Sequence, residues 1–214
     1  RQWRALVDAL KERFRVLAIN LFGYGETTPW PDARLQTLSD QAELVRTLCE
    51  GTQSPMHIVG HSFGGSVALK AASMLGPRVG SLVLLEPNPF YLLKQHGRTE
   101  AYEESRALRD HVKKFGSTGD WAQVAERFAE YWLGDGSWAS MPEKRRQAFA
   151  ASLLPNFHEW DAVMNEETTI SAWQALEPKT LVVSALGTRR PIREIVDLLA
   201  EACPHWSYAQ IAEG

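Results

Sequence analysis

Five residues, Gly60-His61-Ser62-Phe63-Gly64, constrain the fold of this chain more than any other feature. They lie between a short apolar run, Met56 to Val59, and a helical pattern from Phe63 to Leu75 that Gly76-Pro77 ends. A strand that turns at once into a helix throws the residue at the crest clear of the sheet. The start of the helix then aims unpaired N–H groups at whatever binds there. Such a turn brings backbone against backbone and needs residues without a Cβ at its flanks, which Gly60, Gly64 and Gly65 supply. A serine hydroxyl is a poor nucleophile until a base takes its proton, and a crest is where base and substrate can both reach it. Ser62 is therefore the candidate nucleophile, and His61, the variable residue of the turn, a candidate pocket-lining group.

Strand-like and helical patterns alternate around this turn. Trp3, Leu6, Val7 and Leu10 share one helical face. Arg15 to Leu21 reads as a buried strand, and Gly23-Tyr-Gly25-Glu-Thr27 as the loop after it. Thr37-Leu-Ser-Asp40 has the spacing of a capping box. It opens a helix with Ala42, Val45, Leu48 and Cys49 on one side, broken from Gly51 to Pro55. Ser81 to Glu86 is the next strand, ended by Pro87 and Pro89. Continuous rather than alternating apolar strands predict an α/β fold, a mostly parallel sheet with helices on both faces.

The rhythm changes between residues 90 and 176, where no strand-like run occurs. Helices are predicted over roughly 99–114, 120–133, 141–153 and 156–164. Trp121, Trp132, Trp138, Trp160 and Trp173 fall in this stretch. We read residues 90–176 as an inserted helical cap, with 1–89 and 177–214 as the two parts of the core. Thr180 to Ser184 and Ser207 to Ile211 are the remaining strands, with a helix from Ile192 to Cys203 between them. The tryptophans suit an apolar pocket for a small or medium substrate, or the packing of the helices themselves.

Charge and cysteine usage narrow the partners. Lys and Arg number 23 against 26 Asp and Glu, a net charge of −3 without a basic run, which argues against nucleic acid or an acidic membrane. No apolar stretch approaches the roughly 20 residues that span a bilayer. Cys49 and Cys203 read as buried free thiols, so a reducing cytoplasm is the default compartment. His158-Glu159 lacks the second histidine of a zinc motif, since Ala162 holds that position. No metal or cofactor is called for, the expected partner is a small-molecule substrate, and the oligomeric state stays open.

The sequence at this point resembles the α/β-hydrolase superfamily over nearly its whole length. Ile58-Val-Gly-His-Ser-Phe-Gly-Gly65 looks like that family's nucleophile elbow. Leu17-Ala-Ile-Asn-Leu-Phe-Gly-Tyr-Gly-Glu-Thr27 is similar to its preceding strand and glycine loop, and Leu82-Val-Leu-Leu-Glu-Pro87 to its following strand. Tyr131-Trp-Leu-Gly-Asp-Gly-Ser-Trp138 resembles a clade of bacterial hydrolases. The resemblance implies an α/β-hydrolase fold of which this stretch lacks the first strands and the end of the core. It implies Phe63 N–H as one oxyanion donor, with the other from a loop just upstream of Arg1.

The family usually carries its triad acid in the loop after the strand that follows the cap. Here that loop, Ala185-Leu-Gly-Thr-Arg-Arg-Pro191, has no Asp or Glu. Some members carry the acid at the end of the strand after the nucleophile's helix, where Glu86 stands. Either strand can supply the anion that steadies an imidazolium. Glu86 is favoured as that acid over a local role at the strand end, such as binding a backbone N–H; Glu194 and Asp197 are weaker candidates. Arg189 and Arg190 read as a solvated loop before an anion site. The histidine belongs after the last strand, and none of His57, His61, His96, His111, His158 and His205 fits it. The base is expected shortly after Gly214, and the chain as given is expected to be nearly inactive, since losing the base of a comparable triad removes around a millionfold of rate. Three readings follow: hydrolysis of a largely apolar carboxylic ester, lactone or thioester through an acyl-enzyme on Ser62, hydrolysis of a C–C bond beside a ketone, or a non-catalytic binding protein on this fold.

Overall fold

The computed structural model describes residues 2–52 and 55–212. Gln53 and Ser54, inside the expected helix break, and Gly214, after which the base is expected, lie outside the described residues. The sheet has four parallel strands: β1 (Met56–His61), β2 (Val79–Leu85), β3 (Lys179–Ala185) and β4 (Ser207–Ile211), in the order β1-β2-β3-β4. Leu82 pairs with Ile58 on one side and Thr180 on the other, and Leu84 with Gly60 and Val182. Leu82, Leu84, Thr180, Val182 and Ser184 form one buried face. Burying each of these leucines contributes about 1.5–3 kcal/mol. Coverage of the other face is thinner: Ser81, Val83 and Leu85 are half-buried, and His57, Val59 and His61 are exposed.

Helix α1 (Arg4–Leu10) and helix α2 (Leu38–Leu48) precede the sheet. The capping box forms as the spacing predicts: the Thr37 hydroxyl accepts from Asp40 N–H, and the Asp40 carboxylate accepts from Thr37 N–H. Helix α3 (Phe63–Leu75) crosses from β1 to β2 and packs on both strands and on α2. Its run of Val67, Ala68, Leu69, Ala71 and Ala72 is buried, because small residues let it sit close between sheet and helix. Helix α11 (Arg190–Ala202) crosses from β3 to β4 and buries Ile192, Ile195, Leu198 and Leu199.

Residues 86–178 contain helices and loops only: α4 (Tyr91–Gln95), α5 (Thr99–Gly116), α6 (Trp121–Leu133), α7 (Ser137–Ser140), α8 (Glu143–Ser152), α9 (Asn156–Met164) and α10 (Ile170–Gln174). The four longer ones lie where the periodicity places them. Phe90 stacks on Trp160 with centroids 5.2 Å apart, and Phe128 meets the same indole edge-on at 6.4 Å. Trp173 is fully buried and its indole N–H donates to the Tyr91 hydroxyl at 2.8 Å. Packing thus accounts for these two tryptophans.

One expectation near the start fails. Arg15–Leu21 forms no strand, because no described strand pairs with it to complete a ladder, and Leu17 is left 49% exposed. Helix α1 forms where the spacing of Trp3, Leu6, Val7 and Leu10 places it, with none of its residues buried.

Candidate active site

Ser62 stands at the crest between β1 and α3 with φ 51° and ψ −120°, a conformation that costs an L-residue about 1–3 kcal/mol. Three hydrogen bonds hold it there. Its N–H donates to Leu85 C=O at 2.9 Å, and its own C=O accepts from Gly65 N–H at 2.9 Å and Ser66 N–H at 3.3 Å. A methyl group at Gly60 would overlap the Gly64 carbonyl, and one at Gly65 would come within 3.0 Å of Pro87. Gly64, expected to be needed for close approach, instead faces open space. The Phe63 N–H opens α3 and is taken by no acceptor among the described residues.

Glu86 follows β2 one strand away, where neighbouring backbones lie roughly 4.8 Å apart. Ser62 and Glu86 are the two non-glycine residues with positive φ among the described residues. Glu86 N–H donates to Val183 C=O at 2.8 Å, and its carboxylate accepts from Ala185 N–H at 3.0 Å. The local role weighed from sequence is therefore present, and the bond clamps Glu86 to the end of β3. Glu194 and Asp197 sit within α11, half-buried and exposed. In the loop without an acid, Arg190 pairs with Glu100 on α5 and Arg189 lies over the Tyr131 ring at 5.2 Å. Both arginines are exposed, but they are tied to the helical segment rather than merely solvated.

Asn88, which sequence reasoning passed over, reaches the candidate nucleophile. Its Nδ2 lies 3.5 Å from Ser62 Oγ, and its Oδ1 accepts from the buried Ser66 hydroxyl at 2.9 Å. Its position between Pro87 and Pro89, directly after a strand, was the available signal.

None of the histidine contacts described involves Ser62 Oγ. His57 bonds Ser81 Oγ at 2.7 Å, His111 the Gln123 carbonyl at 3.0 Å, and His158 lies 3.2 Å from Asp32. His61 Nδ1 bonds the Gln2 amide at 2.9 Å. Although its side chain reaches solvent, partial desolvation of the ring holds the His61 pKa below the ordinary histidine value, against the pull of the Glu86 charge. His96 is exposed beyond α4, and His205 precedes β4 at the opposite end of the sheet. Two concavities lie elsewhere, one beside Asn20, Phe22, Leu44 and Leu48, the other beside Ala72, Pro77 and Leu176. Among the described residues no His, Cys, Asp and Glu cluster suits a metal, and no helix is long and apolar enough to cross a membrane.

A second titratable cluster joins the glycine loop to α9. Glu159 is 6% exposed, accepts from Asn156 Nδ2 at 2.9 Å, and leaves its other oxygen without a partner. The Tyr24 hydroxyl lies beside it and accepts from the same Asn156 amide at 3.3 Å. Gly23, with φ 82°, allows the loop to approach this close: a methyl there would come within 2.9 Å of Pro155. Desolvation raises the Glu159 pKa to about 7.

Known proteins bear on this geometry. The chain is 32% identical over 145 residues to lipase LipV of Mycobacterium tuberculosis, covering 66% of this chain and 48% of that protein. It is 37% identical over 90 residues to the pimeloyl-[acyl-carrier protein] methyl ester esterase of Methylococcus capsulatus, covering 42% and 33%. The chain thus spans between a third and a half of these relatives. An esterase structure from Exiguobacterium antarcticum superposes with TM-score 0.75 at 18% identity, over 99% of this chain and 78% of that one. The model of the alpha/beta hydrolase family matches residues 1–214, a span that takes in the parallel sheet and the turn at Ser62, and the chain belongs to that family.

Proposed function

We propose that this chain carries the nucleophile of a serine hydrolase acting on a small or medium, largely apolar carboxylic ester, lactone or thioester. The observation that carries the reading is Ser62 held at positive φ on the crest between β1 and α3, beside an N–H with no acceptor among the described residues. Strain of this kind persists only where the surroundings over-determine it. Similarity to a lipase and a methyl ester esterase supports an ester-type bond.

In this reading Ser62 Oγ attacks the carbonyl carbon, and the Phe63 N–H donates to the oxygen that gains charge. A base takes the serine proton and returns it to the leaving group. Water then opens the acyl-enzyme by the same route. We assign the acid to Glu86, whose clamp to Ala185 fixes its backbone at the edge where Ser62 stands. The chain leaves β4 at that same edge, since Ile211 pairs with Ala185, and we place the base after it. Residues 90–176 would form the cap over the site, and His61 its wall.

A fluorophosphonate probe, which reports only an activated serine, tests this on the full-length protein. Stoichiometric labelling that Ser62→Ala abolishes is expected, with turnover of p-nitrophenyl esters. A full-length protein that takes no label is a binding protein on this fold. Labelling without ester turnover, but with cleavage of a vinylogous diketone, would move the assignment to C–C hydrolysis.

A further inference from the structure

We infer that Asn88 is a positioning residue for the nucleophile, held by Ser66 as a hydrogen-bond donor to Ser62 Oγ. The inference rests on the serine-hydrolase reading above.

A serine side chain has three staggered wells, and only one directs its oxygen along a productive line. The crest exposes Ser62 and removes the neighbours that would otherwise select among them. Asn88 supplies one. Its Nδ2 lies 3.5 Å from Ser62 Oγ, a long contact of the kind that tightens once substrate is bound. Asn88 is only 9% exposed, fixed between Pro87 and Pro89, and Pro87 itself rests against Gly65 in the first turn of α3. The amide therefore does not wander relative to the helix that bears Ser62.

The direction of the bond matters. An amide turned the other way would present its oxygen to Ser62 and draw off the proton that the base must receive. Ser66 meets the oxygen end. Its hydroxyl, fully buried, donates to Asn88 Oδ1 at 2.9 Å and leaves the NH₂ for Ser62. Ser66 also lies one turn on from the nucleophile and donates its backbone N–H to the Ser62 carbonyl. Crest, helix and post-strand loop are thus joined through three side chains. A donor on Oγ keeps one lone pair occupied, so the O–H is free to point toward a base on the other side.

Three variants of the full-length protein test this: Asn88→Asp, Asn88→Ala and Ser66→Ala. Asn88→Asp keeps the shape and can still accept from Ser66, but when ionised it cannot donate to Ser62. We expect kcat for a p-nitrophenyl ester, and the fluorophosphonate labelling rate, to fall about tenfold in Asn88→Asp and Asn88→Ala with KM unchanged; both variants also lower the melting temperature, since one buries a charge and the other leaves the Ser66 hydroxyl without its acceptor. Ser66→Ala frees the amide to turn and should cost about threefold. Asn88→Asp reacting at the wild-type rate overturns the inference, as does a loss confined to KM. If Asn88→Ala does not fold, the other two variants decide. A wild-type protein that takes no label removes the hydrolase reading and this inference with it. A labelled wild type matched by Asn88→Asp removes this inference alone.

Discussion

At the scale of single residues, the turn at Ser62 depends on a position where backbone leaves no space for a side chain. Gly60 lies against the Gly64 carbonyl so closely that a methyl group has no space, and the obstacle is backbone rather than a movable side chain. Gly60→Ala should therefore cost at least about 3 kcal/mol in urea unfolding and abolish labelling of Ser62. Gly64→Ala, where the space is open, should lose much less; equal losses would show that the close approach is not the cause. Ser62 was legible in the sequence because the turn has a fixed local pattern. Asn88 was not, because its contact with Ser62 is made across 26 residues by the folding of two neighbouring strands.

At the scale of elements, the helices of residues 91–174 hold each other through a few buried polar links. Lys113 on α5 pairs with Asp161 on α9, and its ammonium lies 4.0 Å from the centre of the Phe157 ring. Asp161 is nearly buried, so removing the lysine leaves a carboxylate without its partner. Lys113→Met keeps the stem packing and should cost about 2–3 kcal/mol, less than a fully buried pair because a quarter of the lysine side chain is exposed. Adding Asp161→Asn should recover most of that loss; a double-mutant cycle with coupling near zero would discount the pair. Periodicity located the four longer helices here, since nine or more residues display a face. It passed over α4, α7 and α10, whose four or five residues show no period. It also made a strand of Arg15–Leu21, because an apolar run is necessary for a buried strand but a ladder partner is what completes one.

For the molecule as a whole, the buried acid between the glycine loop and α9 sets a pH response. Glu159 titrates near 7 when folded, against an ordinary value of 4.5. The folded state holds the proton more tightly, so the stability this group contributes is complete below about 4.5 and is lost as pH rises through 7. Glu159→Gln should match wild type in melting temperature at pH 4.5 and exceed it at pH 8, by up to a difference on the order of 3 kcal/mol. A constant offset between the two proteins across that range would mean the carboxyl does not titrate there. The sheet carries another whole-molecule consequence. Strands β2 and β3 are neighbours in space but stand about ninety residues apart in the chain. At ribosomal speeds of about 5–20 residues per second, β2 waits roughly 5–20 s for its partner to be synthesised. If β2 pairs with β1 before then, Leu82 and Leu84 would stand through that interval on a strand with one raw flank. Whatever shelters that flank in the nascent polypeptide decides how much of it reaches the finished sheet instead of sticking to another copy.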